Sequence, residues 1–288
     1  MTQTLFQQED PGGGRRASPG GPTRTGTSIW RSNPGWTQWA GQRVWIAGAS
    51  SGIGAALARA LIQRGATVVA SARSVEPLNT LCEGARHALP LPFDVSDPKA
   101  WAQAYQAVLA AYGGIDLIVF AAADYRPGWL HEVRQQEVQR ILQVNLASVY
   151  YGLEQVLPDL VARQQGGVVV IGSVAGYAGL PRAGVYGSSK AALIHLAEQL
   201  HAEVSPQGLG VYLVNPGFVR TRLTALNDFR MPALMDAGDA AQAILDGLGR
   251  GHFEIHFPKR FTWWMKLLQL MPYRLRLPVL ARLTTSKQ

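Results

Sequence analysis

From Gln42 onward, short runs of wholly apolar residues alternate with longer stretches in which apolar residues recur at helical spacing, and this rhythm limits the chain to few folds. Arg43 to Ala47, Thr67 to Ser71, the stretch Ala85 to Phe93, Ile115 to Phe120, Gly166 to Gly172 and Leu209 to Val214 read as strands. Ile53 to Arg64, Asp97 to Tyr112, about 131 to 164 and Gly184 to Val204 read as helices, with Asp97 and Pro98 as a cap and first-turn pair. Strands with no polar face must be covered on both sides, and helical crossovers between parallel strands supply that cover. The expected fold class is therefore α/β, a doubly wound parallel sheet in three layers. His252, Glu254 and His256 alternate with Phe253, Ile255 and Phe257, which reads as a seventh strand rather than a metal site.

In such a sheet, ligands bind beyond the carboxyl ends of the strands. The first strand runs into Ala47-Gly48-Ala49-Ser50-Ser51-Gly52-Ile53-Gly54. Gly48 permits a tight turn, Gly52 lets bare backbone approach a phosphate, and Gly54 lets the helix close on the sheet. The helix start then offers free N–H groups and a positive dipole end to an anion. At the end of the second strand, where NAD binding calls for an acid about 20 residues past the glycine turn, stand Ala72 and Arg73. An Arg clamps a 2′-phosphate and an Asp would repel it. With Ser50 and Ser51, this points to NADP(H).

Ser173 follows the fifth strand, and Tyr186 and Lys190 lie four apart in a helical stretch, hence on one face. A phenol is a poor base at neutral pH, and a nearby ammonium lowers its pKa. Tyr186 can then exchange a proton with an alcohol or carbonyl oxygen, and Ser173 can hydrogen-bond that oxygen.

With these motifs in this order, the chain resembles the short-chain dehydrogenase/reductase family in its shorter single-domain branch, from about residue 42 to 257. The resemblance implies a Rossmann-type sheet and a hydride transfer between NADP(H) and a small-molecule carbonyl or secondary alcohol. It matches the family's glycine turn at Ala47 to Gly54, with Ala47 for Thr, and its adenine-contacting Asp at Asp94, followed by Val95. The family's catalytic Asn, which holds a proton-relay water, corresponds to Asn145; its Ser, Tyr and Lys correspond to Ser173, Tyr186 and Lys190. Lys190 by this likeness also holds the ribose. The Pro-Gly segment beside the nicotinamide is Asn215 to Thr221, implying cofactor contacts from Pro216, Gly217, Val219 and Thr221. The family's Asn-Asn-Ala-Gly is here Phe120-Ala121-Ala122-Ala123, with Ala122 as a cofactor contact. That departure is expected to weaken the cofactor site or the sheet while leaving every proton-transfer group in place. Family members are often dimers or tetramers, so a homo-oligomer is a further implication.

The ends differ from the middle. Residues 1 to 40 are rich in Gly, Pro, Ser and Thr and read as a disordered tail, with Trp30, Trp36 and Trp39 capping the edge of a 41–257 domain. Of the net charge of +8, much lies in the two tails, so nucleic acid is not an expected partner. The single cysteine, Cys82, excludes an intrachain disulfide and a cysteine-based metal cluster. Neither a secretory signal nor an apolar run long enough to span a bilayer is present, which points to the cytoplasm. The segment 258–288 mixes Trp, Leu and Met with Arg and Lys. It suits an amphipathic element on an anionic membrane, a lid over an apolar pocket, or a dimer contact, and it suggests a lipophilic substrate. Pro272 and Pro278 are expected to break any long helix there. The alternative to an enzyme is a nucleotide-binding regulatory or membrane-peripheral protein with little turnover.

Overall fold

The computed structural model describes residues 32–229 and 231–285. The elements run β1 (Arg43–Ala47), α1 (Gly52–Gln63), β2 (Thr67–Ser71), α2 (Val75–Cys82), β3 (Ala88–Pro90), α3 (Pro98–Tyr112), β4 (Leu117–Phe120), α4 (Gln135–Leu142), α5 (Ser148–Arg163), β5 (Gly167–Ile171), α6 (Gly184–Val204), β6 (Gly210–Pro216), α7 (Ala237–Arg250), β7 (Glu254–Phe257), α8 (Lys259–Leu270) and α9 (Tyr273–Thr285). The sheet order is β3-β2-β1-β4-β5-β6-β7, with every neighbouring pair parallel. The chain leaves β1 toward β3 and returns on the other side at β4, so the order reverses between β1 and β4. That reversal opens a crevice at their carboxyl ends.

The apolar strands divide their side chains between two cores by simple alternation. In β1, Val44 and Ile46 join one cluster with Leu57, Leu61 and Ile244, from α1 and α7. Trp45 and Ala47 join the other with Trp101, Val156 and Leu200, from α3, α5 and α6. The doubly wound α/β architecture expected from the strand–helix rhythm is the one observed.

Several elements differ from expectation. The third strand is only three residues long. The stretch 131–164 is interrupted: a 3-10 turn precedes α4, and a π-helical segment, Gln143–Ala147, separates α4 from α5. Helices α2 and α7 have no counterpart in the reading above. Pro272 does separate α8 from α9, but Pro278 lies inside α9, where the helix continues past it.

The expected N-terminal tail falls outside the described residues up to 31, as do Trp30 and the tail arginines. Over 32–40 the expectation is corrected. Trp36 and Trp39 stack with ring centroids 5.7 Å apart and are buried in the α1/α7 core. Asn33 exchanges two hydrogen bonds with the main chain of Val211, and Trp36 donates to the Tyr212 hydroxyl. Two large indoles bury enough surface to hold a polar, glycine-flanked segment in place.

Candidate active site

The turn after β1 is built by exclusion of side chains. Gly48 has φ of 106°, and a Cβ on it would lie 2.3 Å from the Ala122 nitrogen. A Cβ on Gly54 would lie 2.2 Å from the Gly48 oxygen. The turn, the start of α1 and the loop after β4 can therefore meet only as bare backbone. Ser51 is the N-cap of α1 but makes no side-chain capping bond. Its Oγ instead accepts from the Arg222 guanidinium at 3.0 Å. The first turn of α1 thus keeps its N–H groups for a ligand.

These residues line one cleft of about 490 Å³. At one end are Ala72, Arg73 and Ser74, beyond β2, with no carboxylate among them, and Asp94 and Val95, beyond β3. The Asp94 carboxylate accepts from the Ser96 N–H and hydroxyl, so its own turn partly satisfies it. Opposite stand Pro216, Gly217, Val219 and Thr221, where the chain leaves β6. A Cβ on Gly52 would come within 2.9 Å of the Thr221 methyl, so the two walls approach closely there. An elongated, glycine-lined cleft with an uncapped helix start suits a dinucleotide phosphate group.

At the other end Ser173, Tyr186 and Lys190 converge. Ser173 caps a short 3-10 turn through its hydroxyl, which accepts from Ala175 N at 3.1 Å. Lys190 is buried, and its ammonium donates to the Ile171 carbonyl at 2.7 Å while lying 5.5 Å from the Tyr186 ring centroid. An ammonium has three donors, so two remain for a ligand in the cleft that Lys190 lines. Burial pushes the Lys190 pKa down to about 7. Burial likewise pushes the Tyr186 phenol up to about 12, against the opposing hydrogen bond with Ser173 and with a small further rise from Tyr125. Burial is thus the largest influence on both groups, because surrounding protein disfavours the charged form of each.

Asn145 is the one expected site residue that does not line the cleft. It is buried in the π-helical segment, a form frequent at functional positions. Its Oδ1 accepts from Asp124 N at 2.7 Å, and its Nδ2 donates to Asp124 O and to the Ser189 hydroxyl. Ser189 in turn donates to the Tyr186 carbonyl at 2.7 Å. Asn145 therefore ties the loop after β4 to the turn of α6 that carries Tyr186.

The Phe120-Ala121-Ala122-Ala123 departure is absorbed by packing. Phe120 inserts against Trp101 at 5.8 Å, and Gly152 on α5 makes the room, since a Cβ there would lie 2.4 Å from the Phe120 ring. Main-chain pairing persists, with Ala121 N donating to Ala47 O at 2.8 Å. The three alanines line the cleft.

Two residues at the site carry no sequence motif and were not anticipated. Arg222 reaches Ser51 across the cleft. Tyr125 packs edge-on against Tyr186 at 4.9 Å, and its hydroxyl donates to Asn227 in the loop after β6. Glu254 and His256, the alternating residues of β7, hold structure together instead. Glu254 accepts from Tyr177, Asn215 and Lys266, and His256 pairs with the Thr262 hydroxyl.

The short chain dehydrogenase family model matches residues 42–229. An uncharacterized oxidoreductase of Myxococcus xanthus is 33% identical over 231 residues, 79% of this chain and 91% of that protein. The 3-oxoacyl-[acyl-carrier-protein] reductase FabG of Escherichia coli is 33% identical over 186 residues, 64% of this chain and 76% of that protein. Among solved structures, a short-chain dehydrogenase from Sphingobium yanoikuyae in complex with NADPH superposes with a TM-score of 0.70 at 26% identity, covering 80% of this chain and 96% of that one. A short chain dehydrogenase/reductase from Burkholderia phymatum in complex with NAD shares the fold, with a TM-score of 0.74 at 23% identity over 81% and 94% of the two chains.

Proposed function

Because this chain belongs to the short-chain dehydrogenase/reductase family, with its nicotinamide-binding fold, we propose that it is an NADP(H)-dependent reductase of a lipophilic carbonyl compound. The observation that carries this is the convergence of Ser173, Tyr186 and Lys190 in the same cleft that the bare glycine turn lines. NADPH, held along the glycine turn and Lys190, would supply the hydride. Ser173 donates a hydrogen bond to the substrate oxygen and orients it. Tyr186, a phenol held protonated near neutral pH, gives its proton to that oxygen as charge develops there. Lys190 holds the ribose edge and, in its charged form, eases the phenolate that remains. Asn145 keeps Asp124 and the α6 turn in register, acting as a positioning residue.

The raised phenol pKa keeps Tyr186 in the protonated form that carbonyl reduction uses, while the direction itself follows the ratio of reduced to oxidised cofactor. NADP(H) over NAD(H) is supported by Arg73 in the cleft and by the acid-free end of β2. A lipophilic substrate is supported by the apolar elements α8 and α9, whose Met265, Leu268 and Leu280 pack on the turn after Ser173. The cofactor assignment is tested by titrating the protein with NADPH and NADH, following tryptophan fluorescence. NADPH should bind more tightly, and Arg73→Ala should cost roughly tenfold or more in NADPH affinity, the worth of one charge-assisted contact, with NADH unchanged. Equal loss for both nucleotides would show that Arg73 does not read the 2′-phosphate. Turnover is then screened with apolar ketones and aldehydes.

A further inference from the structure

Helices α8 and α9 have an apolar side too many. On α8, Thr262, Met265 and Leu268 are buried against the body of the protein, and Phe261 packs on Phe218. The opposite side, which water should face, carries Trp263, Trp264, Leu267 and Leu270, exposed by 61, 72, 53 and 81%. On α9, Leu275 and Val279 are exposed on the side away from the buried Leu280, and Tyr273 and Leu277 are exposed on the other side. Among the described residues, eight of the thirteen exposed large hydrophobic side chains fall in this one stretch of the chain. Trp129 and Leu130 extend it across a cavity of about 700 Å³ that Leu277 and Leu280 also line. Single exposed apolar side chains are ordinary on a soluble protein; a contiguous face of them marks a contact.

The charge of the segment decides what that contact is. Residues 258–288 contain seven basic side chains and no Asp or Glu. Arg260 and Arg274 are exposed beside the apolar face. A second copy of this chain docking face to face would set two such basic, acid-free stretches against each other, since a twofold contact pairs a surface with itself. Anionic lipid headgroups match both features: they neutralise the Arg and Lys heads, and the acyl boundary receives the indoles and leucines. No helix among the described residues is long and apolar enough to cross a bilayer, so the element would lie on the surface.

We propose that α8 and α9 form a docking face for an anionic lipid bilayer. The face is firmly joined to the chemistry. Val174 and Tyr177, in the turn after Ser173, share a hydrophobic cluster with Met265, Leu268 and Leu280. Glu254 accepts hydrogen bonds from both Tyr177 and the α8 residue Lys266. The cavity under α9 is lined by Ala175 and Gly187, close in sequence to Ser173 and Tyr186. Docking would therefore hold the substrate end of the cleft near the membrane.

The test is flotation of the full chain with phosphatidylcholine vesicles, with and without phosphatidylglycerol, and it needs no turnover, so it stands or falls apart from the reductase reading. The protein should float with the anionic vesicles and stay behind with the neutral ones. Binding should weaken with added salt, and Arg260→Gln with Arg274→Gln should lower it by roughly fivefold per cation removed. Trp264→Ser, Leu267→Ser and Leu270→Ser together should cut binding at least tenfold with the melting temperature unchanged, since these side chains touch only the outside. Failure of the wild type to float with anionic vesicles overturns the proposal. So does binding that survives the triple substitution, or a dimer in sedimentation velocity that the triple substitution dissociates. If the triple variant melts early, the salt titration of the wild type and the arginine pair still decide the matter.

Discussion

The two ends of the sheet are built on opposite rules. At the amino ends of β1 and β4, Arg43 and Asp116 are bonded chiefly to each other. The Arg43 main-chain N–H and guanidinium donate three bonds to the Asp116 carboxylate, at 2.6 to 3.0 Å, and a fourth goes to the Tyr112 carbonyl. Arg163 adds a contact at 3.5 Å. At the carboxyl ends, polar groups are held with capacity to spare. The start of α1 has no side-chain cap, Lys190 has one protein acceptor for three donors, and glycines and alanines leave the backbone bare. The first arrangement can only stabilise; the second can bind. Because each end buries a charged group, Asp116 at one and Lys190 at the other, burial alone does not separate structural from functional residues here. Unused hydrogen-bonding capacity does.

The sharpest way to break this comparison is Tyr186→Phe. Removing the proton donor should lower kcat for ketone reduction by roughly 10²–10⁴-fold, the usual worth of a positioned acid. The melting temperature should stay within a degree or two, since the hydroxyl is not needed to fill the core. A variant that melts much earlier but turns over normally would make the active end structural too.

The mirror experiment is Asp116→Ala. It strands the Arg43 guanidinium without its carboxylate and should cost about 2–4 kcal/mol of stability in urea unfolding, with kcat little altered. The same ion pair sets an acid limb. Burial alone would raise the Asp116 pKa, but hydrogen bonds from the Arg43 side chain and main chain, and the charges of Arg43 and Arg163, hold it below the ordinary range. A depressed carboxyl contributes stability that is complete above the unfolded value near 4 and is lost as pH falls through the lower folded value. The wild type should therefore lose stability below about pH 4 more steeply than Asp116→Asn.

Gly152→Ala probes the region between the two ends. Its new methyl would meet the Phe120 ring, and overpacking of this kind costs about 1–3 kcal/mol. Phe120→Leu in the same chain should restore most of that. If Gly152→Ala alone is neutral, Phe120 is not wedged, and the unusual segment after β4 needs another account.

That segment illustrates how far the sequence could be read. The doubly wound fold was legible because strands with no polar face have one common solution, and every cleft-lining residue expected from the motifs except Asn145 lies on the cleft wall. The compensation of Phe120 by Gly152 was not legible, since the two meet through tertiary packing across 32 positions of chain. Helix α2 is eight residues long and contains Pro77, too short to show a period. Helix α7 hides its apolar face among alanines and glycines; Ile244, Leu245 and Leu248 are its only large buried side chains. Arg222 and Tyr125 reach the site from loops, where spacing carries no signal. The packed tryptophans at 36 and 39 were read as edge caps but placed in a tail, because the surrounding glycines and prolines dominated the composition.

The smallest expected effect separates the two ends by titration. Lys190, pushed down to about 7 by burial, should be half charged near neutral pH in the free protein. If its ammonium holds the cofactor, kcat/KM for NADPH, which reports the free enzyme, should fall as pH rises through about 7, by up to roughly tenfold per pH unit. Lys190→Arg keeps its charge throughout this range and should flatten the limb or carry it well above pH 9, at whatever cost in absolute rate. Asp116→Asn should leave the limb where it is, because the charges at the amino ends are already paired among themselves. A wild-type profile flat to pH 9 would mean that Lys190 keeps its proton despite its burial. Its two remaining donors would then have partners, and the spare capacity that distinguishes the carboxyl end of the sheet would have to lie in the glycine turn alone.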